Sequence, residues 1–163
     1  LIHAIELMPA NIPVHLLLVG HMDAEKLTTR INASPISERI HRSGFRADAP
    51  AISAACDVFC MPSTKREGLP RSVIEAMSYR VPPVVTDSGG SPELIVDGTS
   101  GFKVPPKNAA VLAEKFEVLY RDPELRKQMG DAARERIGSD FHNADTVKKT
   151  ILLYEELVQE LAL

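Results

Sequence analysis

The stretch "EGLPRSVIE" (residues 67–75) sets two carboxylates, Glu67 and Glu75, on either side of a Gly-Leu-Pro kink. A hydrogen bond to an ionised carboxylate is worth ~1.5–3 kcal/mol, so such a pair suits a ligand with hydroxyls at both ends. Pro70 fits the first position of a helix, where its missing N–H costs nothing. The residue before a proline avoids the α region, so Leu69 is expected to be extended and to act as N-cap. Leucine accepts no hydrogen bond and caps poorly. The N–H groups of Arg71, Ser72 and Val73 are then left without a side-chain partner at the positive end of the helix dipole. That is an anion site, and a phosphate is a suitable occupant. Were all nine residues helical, the carboxylates would stand ~12 Å apart along the axis. The kink shortens that path and lets one carboxylate reach each end of an elongated ligand whose phosphates lie between them. A plainer reading stands beside this one. Glu67 answers the helix dipole, worth ~0.3–1 kcal/mol, and Glu75 pairs with Arg71 across one turn, worth ~0.2–0.5 kcal/mol in the less favourable order. Local physics does not choose between them.

The elements that position this stretch follow from periodicity. Residues 1–8 read as the end of a helix, and "VHLLLVG" (14–20) as a buried parallel strand. A helix opening with Asp23 covers 23–33, and a weaker strand covers 38–45. A short helix (49–57) precedes a strand (58–63), and the helix after the kink runs from about Pro70 to Arg80. Strand 82–87 leads to a short helix in 91–98, with Ser91 as cap and Pro92 in the first helical position. A last strand (101–105) is followed by helices 108–121, 123–138 and 143–162, with Gly138 helping to end the second. Alternating strands and helices over 14–105 predict an α/β fold: a Rossmann-like parallel sheet with helices on both faces, followed by a helical tail. Ligands of such sheets sit outside the carboxyl ends of the strands. The informative loops are therefore those after Gly20, Gly44, Met61, Val85 and Val104.

Composition narrows the partners. The 163 residues suit one domain, and 44% hydrophobic with 25% charged residues is ordinary for a globular protein. A net charge of −3 gives no reason to expect nucleic acid or an anionic membrane surface. Trp is absent, which disfavours a base-stacking surface for single strands. Cys56 and Cys60 lack zinc spacing and read as reduced, buried thiols. No apolar run reaches the ~20 residues of a membrane span, and no signal peptide is visible. The expected setting is cytoplasmic. The chain starts at Leu1 inside an amphipathic stretch, so it is expected to be a piece of a longer protein.

Residues 56–106, "CDVFCMPSTKREGLPRSVIEAMSYRVPPVVTDSGGSPELIVDGTSGFKVPP", closely resemble the C-terminal, donor-binding domain of family 4 (group 1) retaining glycosyltransferases, which have the GT-B fold. Glu67 and Glu75 match that family's E-x7-E motif, and "PS", "EAM", "PPVV", "GGSPELI" and "GFKVPP" match its surroundings in order and spacing. The resemblance reaches back to "HLLLVG" and forward to "LLYEEL". It implies that Glu75 accepts hydrogen bonds from the donor's ribose and that Glu67, the catalytic candidate, contacts the transferred sugar. It implies that backbone N–H groups near Leu69, Arg71 and Ser72 hold the sugar and diphosphate, that Gly68 and Pro70 belong to the same donor-binding stretch, and that the base lies near Phe45 and Arg46. The reaction implied is transfer of a hexose from a UDP-, GDP- or ADP-sugar to an acceptor hydroxyl with retention, in glycan, polysaccharide or glycolipid synthesis. The chain has no Asp-x-Asp pair, in keeping with a GT-B enzyme that uses helix dipoles and basic side chains and no metal or other cofactor.

Two departures matter. Arg80 stands where the family usually has Gly at the helix end; a left-handed arginine there carries ~1–2 kcal/mol of strain unless the cap is built differently. The family's catalytic Arg and Lys, the first strand of this domain and the acceptor-binding N-terminal domain would all precede Leu1. The chain alone is therefore expected to be inactive, and to be at risk of folding poorly or associating abnormally. The acceptor, a glycan, lipid or small molecule, would bind through that other domain, and peripheral attachment of the full protein to the inner face of a membrane is left open. Lys65, Arg66, Arg71 and His21 are further loop candidates, each also readable as plain surface. Gly89 and Gly90 read either as a tight turn or as backbone approaching the sugar or acceptor. The competing function is a non-catalytic nucleotide-sugar-binding or regulatory module. An epimerase or phosphorylase of the same fold is disfavoured by the E-x7-E surroundings.

Overall fold

The computed structural model describes residues 1–21, 24–66, 68–141 and 143–161. Along the chain come α1 (Ile2–Glu6), β1 (Leu16–Val19), α2 (Ala24–Asn32), a 3-10 turn (Ser37–Arg39), β2 (Ile40–Gly44), α3 (Ala49–Ala54) and β3 (Phe59–Met61). There follow α4 (Arg71–Ser78), β4 (Pro83–Thr86), α5 (Ser91–Leu94), β5 (Phe102–Val104), α6 (Ala109–Arg121), α7 (Pro123–Asp140) and α8 (Asn143–Leu161). Every strand pairing is parallel: Leu16 lies opposite Ile40, Phe59 opposite Pro83 and Val84 opposite Phe102. This is the expected α/β architecture with a helical tail. The strands form two sheets, β1–β2 and β3–β4–β5, where one sheet was expected.

Side-chain alternation in β3–β4–β5 explains why helices cover both faces. Val84 and Val104, with Cys60 and Phe102, join the larger core cluster, which also takes Leu16 and Ile40 from the other sheet and is closed by α1, α2 and α6. Val85, with Phe59 and Met61, turns to the opposite face and meets Val73 and Met77 of α4, Leu94 of α5 and Ala133 of α7. Val73, Ala76 and Met77 of α4 are fully buried, the i, i+3, i+4 stripe of a helix lying on a sheet. This leaves Arg71 and Glu75 on the outer side. Both cysteines are free thiols. Cys60 is half-buried as a residue, but its thiol lies against the larger cluster and desolvation pushes its pKa up to about 12.

Helix α7 fixes the far end of α4. Arg134 donates to the Ser78 carbonyl, and Arg80 Nη1 lies 2.8 Å from Asp131 Oδ1. Arg136 donates to the carbonyls of Leu94 and Glu93 at 2.8 and 2.7 Å. The Arg134 and Arg136 guanidinium groups meet the negative C-terminal ends of α4 and α5. A Cβ at Gly130 would stand 2.1 Å from the Arg80 carbonyl oxygen, so α7 can approach this turn only where it carries no side chain. Arg80 itself has φ +63, the left-handed cap whose strain the sequence predicted. Its ion pair with Asp131 helps to hold that conformation.

Several boundaries differ from expectation. Pro70 is the N-cap of α4, at φ −72 and ψ 114, and Arg71 is its first residue. The fixed φ of proline serves an extended ψ as well as a helical one, so the chain enters the helix one residue later than the Leu69-capped reading. Ser91 does not cap α5; Gly90 is the N-cap, Ser91 is the buried first residue and Pro92 the second. Helix α7 runs through Gly138 to Asp140. One glycine costs ~1 kcal/mol relative to alanine, less than is needed to stop a helix anchored at both ends. The helix expected over 49–57 ends at Ala54. Asp23 and His142 lie outside the described residues. Among the described residues, no helix is long and apolar enough to cross a membrane.

Candidate functional site

Within each sheet the parallel strands place the loops that follow them at one edge. The one after β3 is the longest and leads from Pro62 through the kink to α4. Pro70 is buried, while Gly68 and Leu69 are exposed. No side chain caps α4. The Val73 N–H, expected to be unpartnered, bonds to the Pro70 carbonyl at 3.1 Å, because the first turn closes tightly on its own cap. Among the described residues, the N–H groups of Arg71 and Ser72 have no acceptor. Two donors at a positive helix end remain for an anion.

Glu75 sits one turn along this helix, its side chain 29% exposed. Arg71 Nε donates to Glu75 Oε1 at 3.0 Å, the i,i+4 pair of the plainer sequence reading. The Arg71 side chain is 90% exposed, so little besides Glu75 holds it. Gly68, two residues before the Pro70 cap, has nothing within 4 Å of where its Cβ would be. Glu67, the expected catalytic residue, lies outside the described residues. Of the expected donor-binding residues, the structure joins Arg71 to Glu75 and places Gly68, Leu69 and Pro70 just ahead of the same helix.

The base-side candidates divide. Gly20 N–H bonds to the Gly44 carbonyl at 2.8 Å, holding the ends of β1 and β2 together. Phe45 and His21 extend from those ends and stack, with ring centroids 5.2 Å apart and an angle of 17° between planes. Phe45 is 65% exposed and offers an aromatic face. Arg46 is engaged instead: its Nε and Nη2 hold both carboxylate oxygens of Asp48 at 2.7 and 2.6 Å, and this keeps the Asp48 carboxyl below its ordinary pKa.

Two further residues touch the loop before α4 through contacts that residue types and spacing do not announce. Thr86, at the end of β4 and 4% exposed, donates its hydroxyl to the Ser63 carbonyl at 2.5 Å. Gly90 lies against the Gly68 carbonyl. The only sequence signal was the Gly-Gly turn, which was read as a turn or as an approach to ligand, not as a contact between loops.

Against known proteins, the profile of "Glycosyl transferases group 1" matches residues 1–136. EpsD of Bacillus subtilis (strain 168) is 31% identical over 156 residues, 94% of this chain and 40% of that protein. The N,N'-diacetylbacillosaminyl-diphospho-undecaprenol alpha-1,3-N-acetylgalactosaminyltransferase of Campylobacter jejuni is 32% identical over 124 residues, 76% of this chain and 32% of that protein. The crystal structure of Anabaena Alr3699/HepE with UDP-glucose superposes with a TM-score of 0.83 at 28% identity, covering 96% of this chain and 44% of that one. The chain therefore spans less than half the length of these three relatives. With its parallel strands, its helix start at the sheet edge and this family profile over most of its length, the chain belongs to the glycosyl transferases of group 1.

Proposed function

We propose that the chain is the donor-binding domain, residues 1–163, of a retaining glycosyltransferase that takes a hexose from a nucleotide-diphosphate sugar. The observation that carries this is the start of α4: a side-chain-free cap, two open N–H groups and the Glu75 carboxylate one turn away, all at the carboxyl edge of a parallel sheet. The diphosphate lies at the helix start, where the dipole and backbone donors favour it. Glu75 accepts hydrogen bonds from the ribose hydroxyls, and Gly68 leaves room for the sugar. Glu67 is the residue assigned to the sugar hydroxyls, on the strength of its place in the E-x7-E motif. The base lies towards Phe45. In this reading the helix dipole and basic side chains stabilise the leaving diphosphate, without a metal.

The remainder of the reading concerns the longer protein. A strand from upstream stands between β1 and β3, joining the two sheets, and an upstream domain binds the acceptor glycan, lipid or small molecule. UDP-glucose is a sensible first ligand because HepE, a structural relative, has been seen with it. The test is a calorimetric screen of UDP-, GDP- and ADP-sugars against the full-length protein. One of the three is expected to bind with a dissociation constant in the range of about 1 μM to 1 mM, where enzyme substrates usually fall. Failure of all three would overturn the donor assignment.

A further inference from the structure

The loop carrying Gly68 and Leu69 is exposed from Thr64 to Arg66 and again at Gly68 and Leu69, yet it must hold the start of α4 in place. Its support comes from the end of β4, at two points. The buried Thr86 hydroxyl donates to the Ser63 carbonyl at 2.5 Å and lies 3.5 Å from that of Met61, which ties the beginning of the loop. A Cβ at Gly90 would stand 2.8 Å from the Gly68 carbonyl oxygen, 2.9 Å from its carbon and 3.2 Å from the Leu69 nitrogen. All three are backbone atoms and cannot swing aside as a side-chain tip does.

The reason for a glycine at position 90 is this contact and not its conformation. Gly90 has φ −87 and ψ −8, which any residue adopts. Its neighbour Gly89, at φ +63, is the one the turn requires. Gly90 therefore sets the separation of two loops, one after β3 and one after β4.

We propose that Thr86 and Gly90 form a seat that positions Ser63 and the Gly68–Leu69 backbone, and through them the α4 N-terminus, against the sugar and diphosphate of the donor. They are positioning residues and touch no reacting atom. This rests on the donor reading given above. A displacement of a few tenths of an ångström at Gly68 is passed through Pro70 to the Arg71 and Ser72 donors, and binding geometry of this kind tolerates little error. The loss should fall on the sugar–diphosphate end of the ligand more than on the nucleoside end.

The test uses the full-length protein with Gly90→Ala, Thr86→Val and Thr86→Ser. Hydrogen exchange of the amides from Thr64 to Ser72 is measured without ligand, and affinities for UDP-glucose and UDP by calorimetry. Gly90→Ala and Thr86→Val are expected to speed exchange in this segment at least about threefold with little change in melting temperature. Each is expected to weaken UDP-glucose about tenfold and UDP less, and Thr86→Ser to restore both readouts. Unchanged exchange in both variants, or no rescue by serine, would overturn the seat. If the wild type binds neither UDP ligand, affinities are read with whichever GDP- or ADP-sugar it binds; failure of all three overturns the donor reading separately, and the exchange data still decide whether the seat exists. Should Gly90→Ala not fold, the valine–serine pair at position 86 gives the answer.

Discussion

At the scale of the residue, Glu75 has two competing uses. Its pair with Arg71 is an exposed i,i+4 contact with the cation on the N-terminal side, worth only ~0.2–0.5 kcal/mol. A hydrogen bond from a ligand hydroxyl to the same carboxylate is worth ~1.5–3 kcal/mol. On the proposed donor reading the pair would yield to a ribose, releasing Arg71 towards the diphosphate. Glu75→Gln keeps the shape but removes the charge, and is expected to weaken donor binding at least about tenfold, or ~1.4 kcal/mol. Glu75 and the open helix start were legible from residue types and spacing. The cap was misplaced by one residue, since a proline outside a helix and one inside it share the same φ. Thr86 and Gly90 were not legible as supports, because each acts on a residue over 20 positions away and nothing local demands it.

At the scale of the element, α4 is held between sheet and α7. Its apolar stripe was readable from periodicity, but the partner of its C-terminal end was not. Arg134, Asp131 and Gly130 looked like parts of an ordinary solvated helix, and only packing shows that all three meet the Ser78–Arg80 turn. Gly130→Ala separates the two influences on that helix. Alanine gains up to ~1 kcal/mol in helix propensity, while a Cβ placed 2.1 Å from a carbonyl oxygen forces backbone shifts that typically cost ~1–3 kcal/mol. The contact wins, and a thermal melt should show a lower melting temperature by a few degrees, at ~2–4 °C per kcal/mol. An unchanged or higher melting temperature would show that α7 does not lie this close to the turn.

At the scale of the whole molecule, the parallel α/β architecture followed from the order of strand and helix patterns. The division into two sheets did not follow from those patterns, because hydrophobic runs mark strands but not which edges meet. It is what the resemblance to the family implies, whose first strand is central in the sheet and absent from this chain. The β1–β2 half is tied internally by Glu6 at the end of α1. Arg30 of α2 donates to both its carboxylate oxygens, at 2.8 and 2.5 Å, and the Ser34 hydroxyl to one at 2.6 Å. Led by the Arg30 hydrogen bonds, these contacts lower the Glu6 pKa from 4.5 to about 2. A carboxylate depressed in the folded state adds stability above its unfolded pKa and loses it as pH falls through the folded one. Wild type should therefore lose stability between pH 4.5 and about 2. With Arg30 partly exposed, the loss is roughly 1–3 kcal/mol. In Glu6→Gln this component is already missing at pH 7. Urea titrations should show the gap between the two proteins narrowing steadily below pH 4.5; a constant gap would contradict the assignment.

The central claim is that α4 and Glu75 receive a nucleotide-diphosphate sugar. Its most direct test is calorimetric titration of the best-binding nucleotide sugar into full-length wild type and Glu75→Gln, with melting temperatures shown to be equal. The account predicts a dissociation constant raised at least about tenfold in the variant. An unchanged dissociation constant would contradict it.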